Sequence, residues 1–351
     1  MFDRGSAHEA GTMTTIHDVA RRANVSAATV SRVLNNHSTV DPELVRRVQA
    51  AVTALAYQRN ALARNLRRSR TSLWAVIISD VGNPFFTSMV RGVEDAARQA
   101  GFSVVLCNSD EDPEKEASYI TAAVAERMAG VIISPASERT TDVGLLLGGG
   151  TPVVAIDRRL RGTPVDTVLV NNRQGAEDAT SHLLDAGYRR IACITGPRGV
   201  TTARQRLTGY QRALRLHGYD TDARLVRHAD FRERGGHDAM ASLLADERPD
   251  AVFVANNLMT VGALECLVEH RVRVPHDIGV VGFDEIPWAD LVRPSLSTVA
   301  QPTYEMGQLA GQLLAMRSTT PGAPPETKIL GTTLNVRTSS SRRTTGQRTT
   351  R

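Results

Sequence analysis

The chain has 351 residues, of which 41% are hydrophobic and 23% are charged. This length predicts two or three domains, and this hydrophobic content excludes global disorder. No apolar run approaches the roughly 20 residues that a membrane-spanning helix needs, and the first 15 residues lack the apolar stretch of a secretory signal. The three cysteines, Cys107, Cys193 and Cys266, are too few and too scattered for a disulfide framework, which favours a reducing cytoplasm.

The net charge of +5 is distributed unevenly along the chain. Residues 1–70 contain 11 arginines and 5 acidic residues, and residues 338–351 contain 4 arginines and no acidic residue. The segment between them has a net charge of −5. A basic head before an acidic body predicts that the head binds a polyanion such as nucleic acid.

Three short helices are predicted in residues 14–58. In the segment TIHDVARRA, Thr15 is suited to cap a helix and the apolar residues recur at helical spacing. After a short break, Ser26 can cap a second helix, AATVSRVLN, and the pair Asp41-Pro42 is typical of the start of a third. Two short helices joined by a tight turn are typical of the helix-turn-helix motif, whose second helix enters the major groove of DNA. A small three-helix bundle with a solvated polar face is the alternative.

The segments DVARRANVSAATVSRVLN and ALAYQRNALARNLRRSRT closely resemble the DNA-binding head of the lactose- and galactose-repressor (LacI/GalR) family of regulators. The resemblance continues in order and spacing through most of the chain. It implies an all-α helix-turn-helix head and an α/β body with two lobes, the type I periplasmic-binding-protein fold. The expected division is a disordered extension at 1–13, the head at 14–58, a hinge helix or linker at 59–70, a ligand-binding and dimerisation body at 71–337, and a disordered basic tail at 338–351.

The resemblance assigns base readout to three positions of the second helix: Ala27, Ala28 and Arg32. Arg32 can donate two hydrogen bonds to guanine, whereas the two alanines can offer only apolar contacts, for example to a thymine methyl group. Four further side chains are expected to contact phosphate groups, which position the head without reading sequence. These are Thr15, Ser26, Ser31 and Asn35.

The eight residues RNALARNL, from Arg59 to Leu66, resemble the family's hinge helix. Leu62 and Leu66 lie four residues apart on one helical face, and Leu66 occupies the position at which the family inserts a leucine into the minor groove. Arg64 and Arg67 are expected to neutralise nearby phosphate groups. Because so short a helix is not stable in isolation, we expect coil in the free protein and helix on DNA. A basic flexible linker is the alternative.

In the body, short apolar segments alternate with helical segments. Strands are predicted in LWAVII, FSVVLC, GVIIS, PVVAID, IACIT, AVFVAN and IGVVGFD. Helices are predicted over 113–128, 173–186, 202–217, 235–246, 257–270 and 303–316. This alternation is typical of parallel sheets with both faces covered, and the resemblance implies two lobes rather than one large sheet.

Polar residues come directly after five of these strands: Asp80, Asn108, Asp157, Asn256 and Asp284. Because ligands of open α/β sheets bind beyond the carboxyl ends of the strands, these residues predict a polar cleft. A helix cap or a turn is the alternative role for each of them.

The resemblance places effector contacts on Asp157, Arg206, Asn256 and Asp284. Carboxylate and guanidinium groups can share the vicinal hydroxyls of a sugar as paired acceptors and donors. Arg158 is expected either to select an acidic or phosphorylated ligand or to form a surface ion pair. Four aromatic residues in neighbouring loops are expected to stack on an apolar ring face or to lie in the core: Phe85, Phe86, Phe231 and Trp288.

We therefore expect a DNA-binding transcriptional regulator, a repressor, that binds a pseudo-palindromic operator as a homodimer in the cytoplasm, on the nucleoid. A sugar or sugar derivative is the expected effector, and a purine or nucleoside is the alternative. An enzyme is disfavoured, because the sequence has no GxxxxGK phosphate loop and no Gly-x-Ser-x-Gly elbow. No cofactor or metal is expected, since the nine histidines show no metal-ligand spacing. A solute-binding transport protein would share the body but not the head.

Overall fold

The computed structural model describes residues 14–34, 40–57, 70–320 and 322–342. Contacts divide the chain into two compact units, Met1–Ser69 and Arg70–Arg351. Arg70 belongs to the second unit, where its guanidinium donates a hydrogen bond to the Gly149 carbonyl at 3.1 Å. The body therefore begins one residue before the predicted position.

The first unit contains the three predicted helices, α1 (Ile16–Ala23), α2 (Ala27–Leu34) and α3 (Pro42–Ala54). Thr15 caps α1, because its Oγ1 accepts a hydrogen bond from the amide of Asp18 while the Asp18 carboxylate accepts one from the Thr15 amide. Ser26 caps α2 by accepting from the amide of Thr29 at 3.1 Å. A small core of fully buried side chains joins the helices: Val19, Val30 and Val48.

The second unit contains two lobes, each built on a six-stranded sheet. The N-terminal lobe consists of β1 (Leu73–Ile78), β2 (Ser103–Asn108), β3 (Gly130–Ile133), β4 (Val153–Ile156), β5 (Asp166–Val170) and β11 (Thr327–Leu330). These strands are parallel and lie in the order β2–β1–β3–β4–β5–β11. The helices of this lobe are α4 (Pro84–Gln99), α5 (Pro113–Ala125), α6 (Gly144–Gly148) and α11 (Thr303–Thr319).

The C-terminal lobe repeats this topology. Its strands are β6 (Ile191–Thr195), β7 (Val226–His228), β8 (Ala251–Val254), β9 (Gly279–Phe283), β10 (Ser297–Ala300) and β12 (Thr333–Asn335). They lie in the order β7–β6–β8–β9–β10–β12, and only the pair β10–β12 is antiparallel. The helices are α7 (Asn172–Asp185), α8 (Thr201–Leu216), α9 (Glu233–Asp246) and α10 (Asn257–Glu269).

Strand β1 shows why its apolar residues are continuous in sequence. Trp74 and Val76 contribute to the core under α4 and α11, whereas Ala75 and Ile77 contribute to the core on the opposite face of the sheet. A parallel strand covered on both faces needs apolar side chains at every position, so the run does not alternate.

Five strands and the helices α4 and α6 are not predicted by the sequence patterns. Strands β7, β11 and β12 are short and partly exposed, so they lack a continuous apolar run. Strand β5 is buried but begins with the polar pair Asp166–Thr167, and β10 begins with Ser297–Thr298. Helix α4 does have a start signal, since Asn83 caps it and Pro84 occupies its first turn.

The chain crosses between the lobes three times within the described residues. The crossings lie between β5 and α7 at Asn171, between β10 and α11 at Gln301–Pro302, and between β11 and β12 at Gly331–Thr332. The residues at these three crossings are the candidate hinges if one lobe moves relative to the other.

The prediction that a disordered tail begins at residue 338 is wrong for residues 338–342. Thr338–Ser340 forms a 3₁₀ turn in which Ser339 and Ser340 are buried. The Ser339 hydroxyl donates to the Val280 carbonyl at 2.7 Å and accepts from the Ser297 amide at 2.8 Å. Small hydroxyl side chains can be buried when their hydrogen bonds are satisfied, which a hydrophobicity pattern does not detect.

None of the helices in the described ranges combines the length and apolarity needed to cross a membrane.

Candidate functional site

A cleft between the two lobes brings together nine of the ten predicted effector contacts. The N-terminal lobe contributes Asp80, Phe85, Phe86, Asp157 and Arg158, and the C-terminal lobe contributes Arg206, Phe231, Asn256 and Asp284. Trp288 does not line this cleft, and its side chain is exposed at the surface. The remaining space is about 50 Å³, room for a few water molecules, so a larger ligand requires the lobes or the side chains to move.

Two cleft carboxylates lie at equivalent strand ends in the two lobes. Asp157 follows β4 and Asp284 follows β9, and both have left-handed backbones with φ of 65° and 73°. This conformation is unfavourable for residues other than glycine and is retained where side-chain placement matters. Burial raises the pKa of Asp157 to about 6 against the opposing effect of Arg158, and burial also raises the pKa of Asp284.

Arg206, on helix α8, is held from four directions. Its Nε donates to Asn172 Oδ1 at 2.8 Å, and a terminal nitrogen donates to the Ala255 carbonyl at 2.7 Å. The same terminal nitrogen lies 3.7 Å from Asp284 Oδ2, and the guanidinium carbon lies 3.8 Å from the centre of the Phe283 ring. These contacts fix the plane of a buried cation beside the Asp284 carboxylate.

Arg158 forms a buried ion pair, so the surface ion pair, one of the two roles predicted for it, is wrong. Its two terminal nitrogens donate to the two carboxylate oxygens of Glu111 at 2.6 and 2.7 Å. Its side chain is 5% exposed, and its Nε, 3.6 Å from Asp157 Oδ2, has no hydrogen-bond acceptor among the described residues. An unpaired buried donor in the wall of a cleft is a position where a ligand oxygen can bind.

Polar contacts between the lobes close the cleft. Asp80 of the N-terminal lobe accepts a hydrogen bond from Arg232 of the C-terminal lobe at 2.5 Å. The side-chain Nδ2 of Asn257, in the C-terminal lobe, donates to Asn83 Oδ1, in the N-terminal lobe, at 2.8 Å. These contacts must adjust if the lobes separate to admit a ligand.

Asn256 lines the cleft and also has the alternative role predicted for it. Its Oδ1 caps helix α10 by accepting from the Met259 amide at 2.9 Å, and its Nδ2 donates to the Phe231 carbonyl at 3.1 Å. Asn108, the other strand-end asparagine, does not line the cleft, and its side chain accepts from the Val81 amide at 3.0 Å.

The three aromatic side chains that line the cleft are buried or partly buried, although they were predicted to lie in loops. Phe85 and Phe86 lie in the first turn of α4 rather than in a loop, and their rings meet edge to face with centroids 4.9 Å apart. The Phe231 ring packs against Gly196 so closely that a Cβ there would lie 2.2 Å from a ring carbon. These rings form an apolar wall beside the charged residues.

Six cleft residues escape the sequence analysis: Asn83, Glu111, Thr202, Asp230, Arg232 and Gln301. Gln301 lies in a crossing between the lobes, where its Nε2 donates to Asp284 Oδ1 at 2.5 Å and its Oε1 is buried without a partner among the described residues. The Asn83-Pro84 helix start could have identified Asn83. Across the described ranges, no group of three or more His, Cys, Asp or Glu side chains could hold a metal ion.

In the head, the predicted base-reading positions are not equally accessible. Ala28 and Arg32 are exposed on α2, whereas Ala27 is partly buried and packs against the head core. Ser31 is half-buried, and the exposed Thr15 and Ser26 use their hydroxyls as helix caps. Five predicted DNA contacts lie outside the described residues: Asn35, Leu62, Arg64, Leu66 and Arg67.

Comparison with known proteins agrees with this architecture. Residues 15–60 match the family described as bacterial regulatory proteins, lacI family, and residues 180–340 match the periplasmic binding protein-like domain. The ribose operon repressor of Escherichia coli (strain K12) is 37% identical over 311 residues, which are 88% of this chain and 94% of that protein.

Solved structures show the same similarity. The complex of the transcriptional regulator CelR with cellobiose is 33% identical, with a TM-score of 0.71 over 93% of this chain and 99% of that one. The Lac repressor dimer bound to operator and the anti-inducer ONPF is 27% identical, with a TM-score of 0.82 over 94% of this chain and 99% of that one. The predicted fold and resemblance are thus confirmed: the chain belongs to the lacI family of bacterial regulatory proteins, and it is a DNA-binding transcriptional regulator rather than an enzyme.

Proposed function

We propose that two copies of this chain bind a pseudo-palindromic operator and repress transcription, and that a sugar or sugar derivative in the cleft controls this binding. The observation that carries the proposal is the cleft itself. Carboxylates and guanidinium groups from both lobes meet there, and two buried polar atoms, Arg158 Nε and Gln301 Oε1, have no hydrogen-bond partner in the described residues.

The chemistry of the cleft suits a polyol. Asp157 and Asp284 offer acceptors, and Arg158 and Arg206 offer donors, so adjacent hydroxyl groups can each find a partner. The aromatic wall of Phe85, Phe86 and Phe231 suits the apolar face of a sugar ring. The names of the relatives, a ribose operon repressor and a regulator bound to cellobiose, support the same class of effector.

On the DNA side, the exposed Arg32 is the proposed reader of guanine. We assign Ala27 and Ala28 to apolar base contacts and Thr15, Ser26, Ser31 and Asn35 to phosphate contacts. In the hinge, Leu62 and Leu66 form the proposed apolar face, Leu66 enters the minor groove, and Arg64 and Arg67 contact phosphate groups. The two-fold symmetry of a dimer predicts an operator with two inverted half-sites, and the proposed location is the cytoplasm, on the nucleoid.

The experiment selects an operator from a random-sequence DNA pool with the full chain. We expect the selected sequences to contain an inverted repeat, and we expect one sugar among ribose, cellobiose and related sugars to change operator affinity by roughly 5–150-fold. Selected sequences without two-fold symmetry would contradict the dimeric reading of DNA. If purines or nucleosides change operator affinity and no sugar does, the effector is a purine or nucleoside rather than a sugar.

The hinge assignment is tested on the same operator. Leu66→Ala should reduce operator bending, measured by fluorescence energy transfer between the DNA ends. The affinity of the variant for the responsive sugar should equal that of the natural chain. If the variant bends the operator as much as the natural chain does, Leu66 does not insert into the minor groove.

A further inference from the structure

A second cavity lies beside the sugar cleft and has a very different character. It has a volume of about 480 Å³, within the range of small-molecule sites, and it shares only Arg158 with the cleft lining. Five arginines line it, and the one acidic residue in its lining is Glu138. The arginines are Arg139, Arg158, Arg161, Arg198 and Arg204. We call this cavity the basic pocket.

Both lobes build the basic pocket. Arg139 and Arg161 lie in segments that follow β3 and β4 of the N-terminal lobe. Arg198 and Arg204 lie in the loop after β6 and in the first turn of α8, in the C-terminal lobe. A ligand that contacts all four therefore joins the lobes.

The protein neutralises only part of this positive charge. Arg158 is paired with Glu111, and Arg161 lies 3.4 Å from Glu138. Arg204 donates a hydrogen bond to the Thr201 hydroxyl but has no carboxylate partner among the described residues. Among the described residues, the side chains of Arg139 and Arg198 form neither a hydrogen bond nor an ion pair. Three exposed arginines thus line one cavity without a carboxylate partner among the described residues.

Another feature of the basic pocket is the N-terminus of helix α8, which already binds a carboxylate. Helix α8 begins at the pocket with Val200 at its N-cap, which has no side-chain acceptor, and the amide and hydroxyl of Thr201 bind the Glu138 carboxylate at 3.2 and 2.6 Å. The protein thus already places one anionic group at this helix N-terminus.

We propose that the basic pocket binds the phosphate group of a small phosphorylated metabolite, and that this group holds the two lobes together. A phosphomonoester carries a charge of about −1.5 to −2 at pH 7 and offers three acceptor oxygens, which matches three unpaired guanidinium groups better than a single carboxylate does. The pocket is large enough for more than the phosphate itself. Apart from Arg158, the lining of this site is distinct from that of the proposed sugar cleft, and the proposal does not depend on the identity of the sugar.

The test is isothermal titration calorimetry of the full chain with ribose 5-phosphate, inorganic phosphate and ribose, at constant ionic strength set by chloride. Saturable binding of either phosphate compound supports the proposal, and the two compounds separate a free anion from a phosphorylated metabolite. Arg139→Gln and Arg198→Gln should each weaken this binding by about tenfold, since each removes charged hydrogen bonds to phosphate. Affinity should also fall between pH 7.5 and pH 5.5, as the phosphate gains its second proton.

Arg215→Gln is the matched control, because Arg215 is an exposed arginine at the opposite end of α8. It should leave phosphate binding within twofold of the natural chain. Because all three residues are exposed, the variants should fold, and equal melting temperatures verify this. The proposal is overturned if the natural chain shows no saturable binding of either phosphate compound. It is also overturned if the double variant, which carries both Arg139→Gln and Arg198→Gln, binds these compounds as tightly as the natural chain does. Ribose binding in the double variant reports separately on the sugar cleft.

Discussion

The functional side chains proposed for the head and for the cleft of the body differ in their exposure to solvent. On α2, Ala28 and Arg32 are exposed on a helix whose other face forms the head core. In the cleft, Asp157, Arg206 and Asp284 are each at most 6% exposed. Arg206 and Asp284 lie 3.7 Å apart although they are distant in the sequence, and Asp157 lies 3.6 Å from Arg158, the next residue in the chain.

This difference determines what a substitution does. An exposed side chain can be removed with little cost to stability, because water replaces its contacts, so its effect is confined to the partner that it binds. A buried charge cannot be removed alone, because its partner remains in a medium of low polarity without compensation. Cleft substitutions should therefore change stability and ligand binding together, whereas substitution of the exposed Arg32 should change DNA binding only.

The largest effect is expected for Arg206→Ala. The substitution leaves the buried Asp284 carboxylate without its cation and the Asn172 side chain without its donor. We expect the free energy of unfolding of the body to fall by about 3–5 kcal/mol and sugar affinity to fall by at least about a hundredfold. Urea unfolding and calorimetric titration with the responsive sugar measure the two effects.

Arg212→Ala provides the control on the same helix. Arg212 is about half exposed and pairs with Glu177 at 3.1 Å, so its loss should cost about 0–1 kcal/mol and leave the cleft unchanged. Operator binding in the absence of sugar should persist in both variants. Normal sugar binding in both Arg206→Ala and Asp284→Ala would show that the effector does not bind in this cleft.

The next effect concerns pH and Asp157. Burial raises the pKa of this carboxyl from 3.8 to about 6, so the folded protein holds the proton more tightly than the unfolded chain does. Its contribution to the free energy of unfolding is therefore greatest below about pH 4 and declines, by about 3 kcal/mol, as pH rises to about 6 and above. Asp157→Asn cannot ionise, so relative to the natural chain it should gain stability by this amount between pH 4 and pH 7.5.

Urea unfolding of both proteins across this pH range measures the difference, in which the contributions of titrating groups that do not interact with Asp157 cancel. Asp277→Asn is a suitable control, because hydrogen bonds from Arg273 lower the pKa of the exposed Asp277 to about 2, outside the range studied. Its stability relative to the natural chain should stay constant from pH 4.5 to pH 7.5. Parallel stability curves for Asp157→Asn and the natural chain would mean that the Asp157 carboxyl is ionised throughout.

The same contrast explains how much the sequence could predict. The head depends on local signals, so Thr15, Ser26 and Asp41 identify the helix starts without knowledge of any long-range contact. The strand-end residues Asp157 and Asp284 were also predictable, because parallel strands bring their carboxyl ends to one edge of a sheet.

The partners of these cleft residues were not predictable from local patterns. Glu111 reaches Arg158 across 47 positions, and Gln301 reaches Asp284 from a crossing between the lobes. Gln301 directly follows β10, a strand that the sequence patterns do not predict, and Glu111 lies three residues after the end of β2. Each acquires its role only when the sheets and crossings are in place. The buried Ser339 was missed for the same reason, since its partners lie at least 42 positions away.

The smallest of the three effects is expected for Arg32→Ala, and it should be confined to DNA. Because Arg32 is exposed, its removal should leave the stability of the head unchanged while weakening binding to the selected operator by about 1–3 kcal/mol, the value of a bidentate contact to guanine. Fluorescence anisotropy with operator and with random DNA at one salt concentration separates base reading from phosphate contact. Arg46→Ala is the control, since Arg46 is an exposed arginine of α3 that pairs with Glu43, and its loss should affect both DNAs equally. If Arg32→Ala also weakens both DNAs equally, Arg32 contacts phosphate only, and the head must read its operator through other side chains.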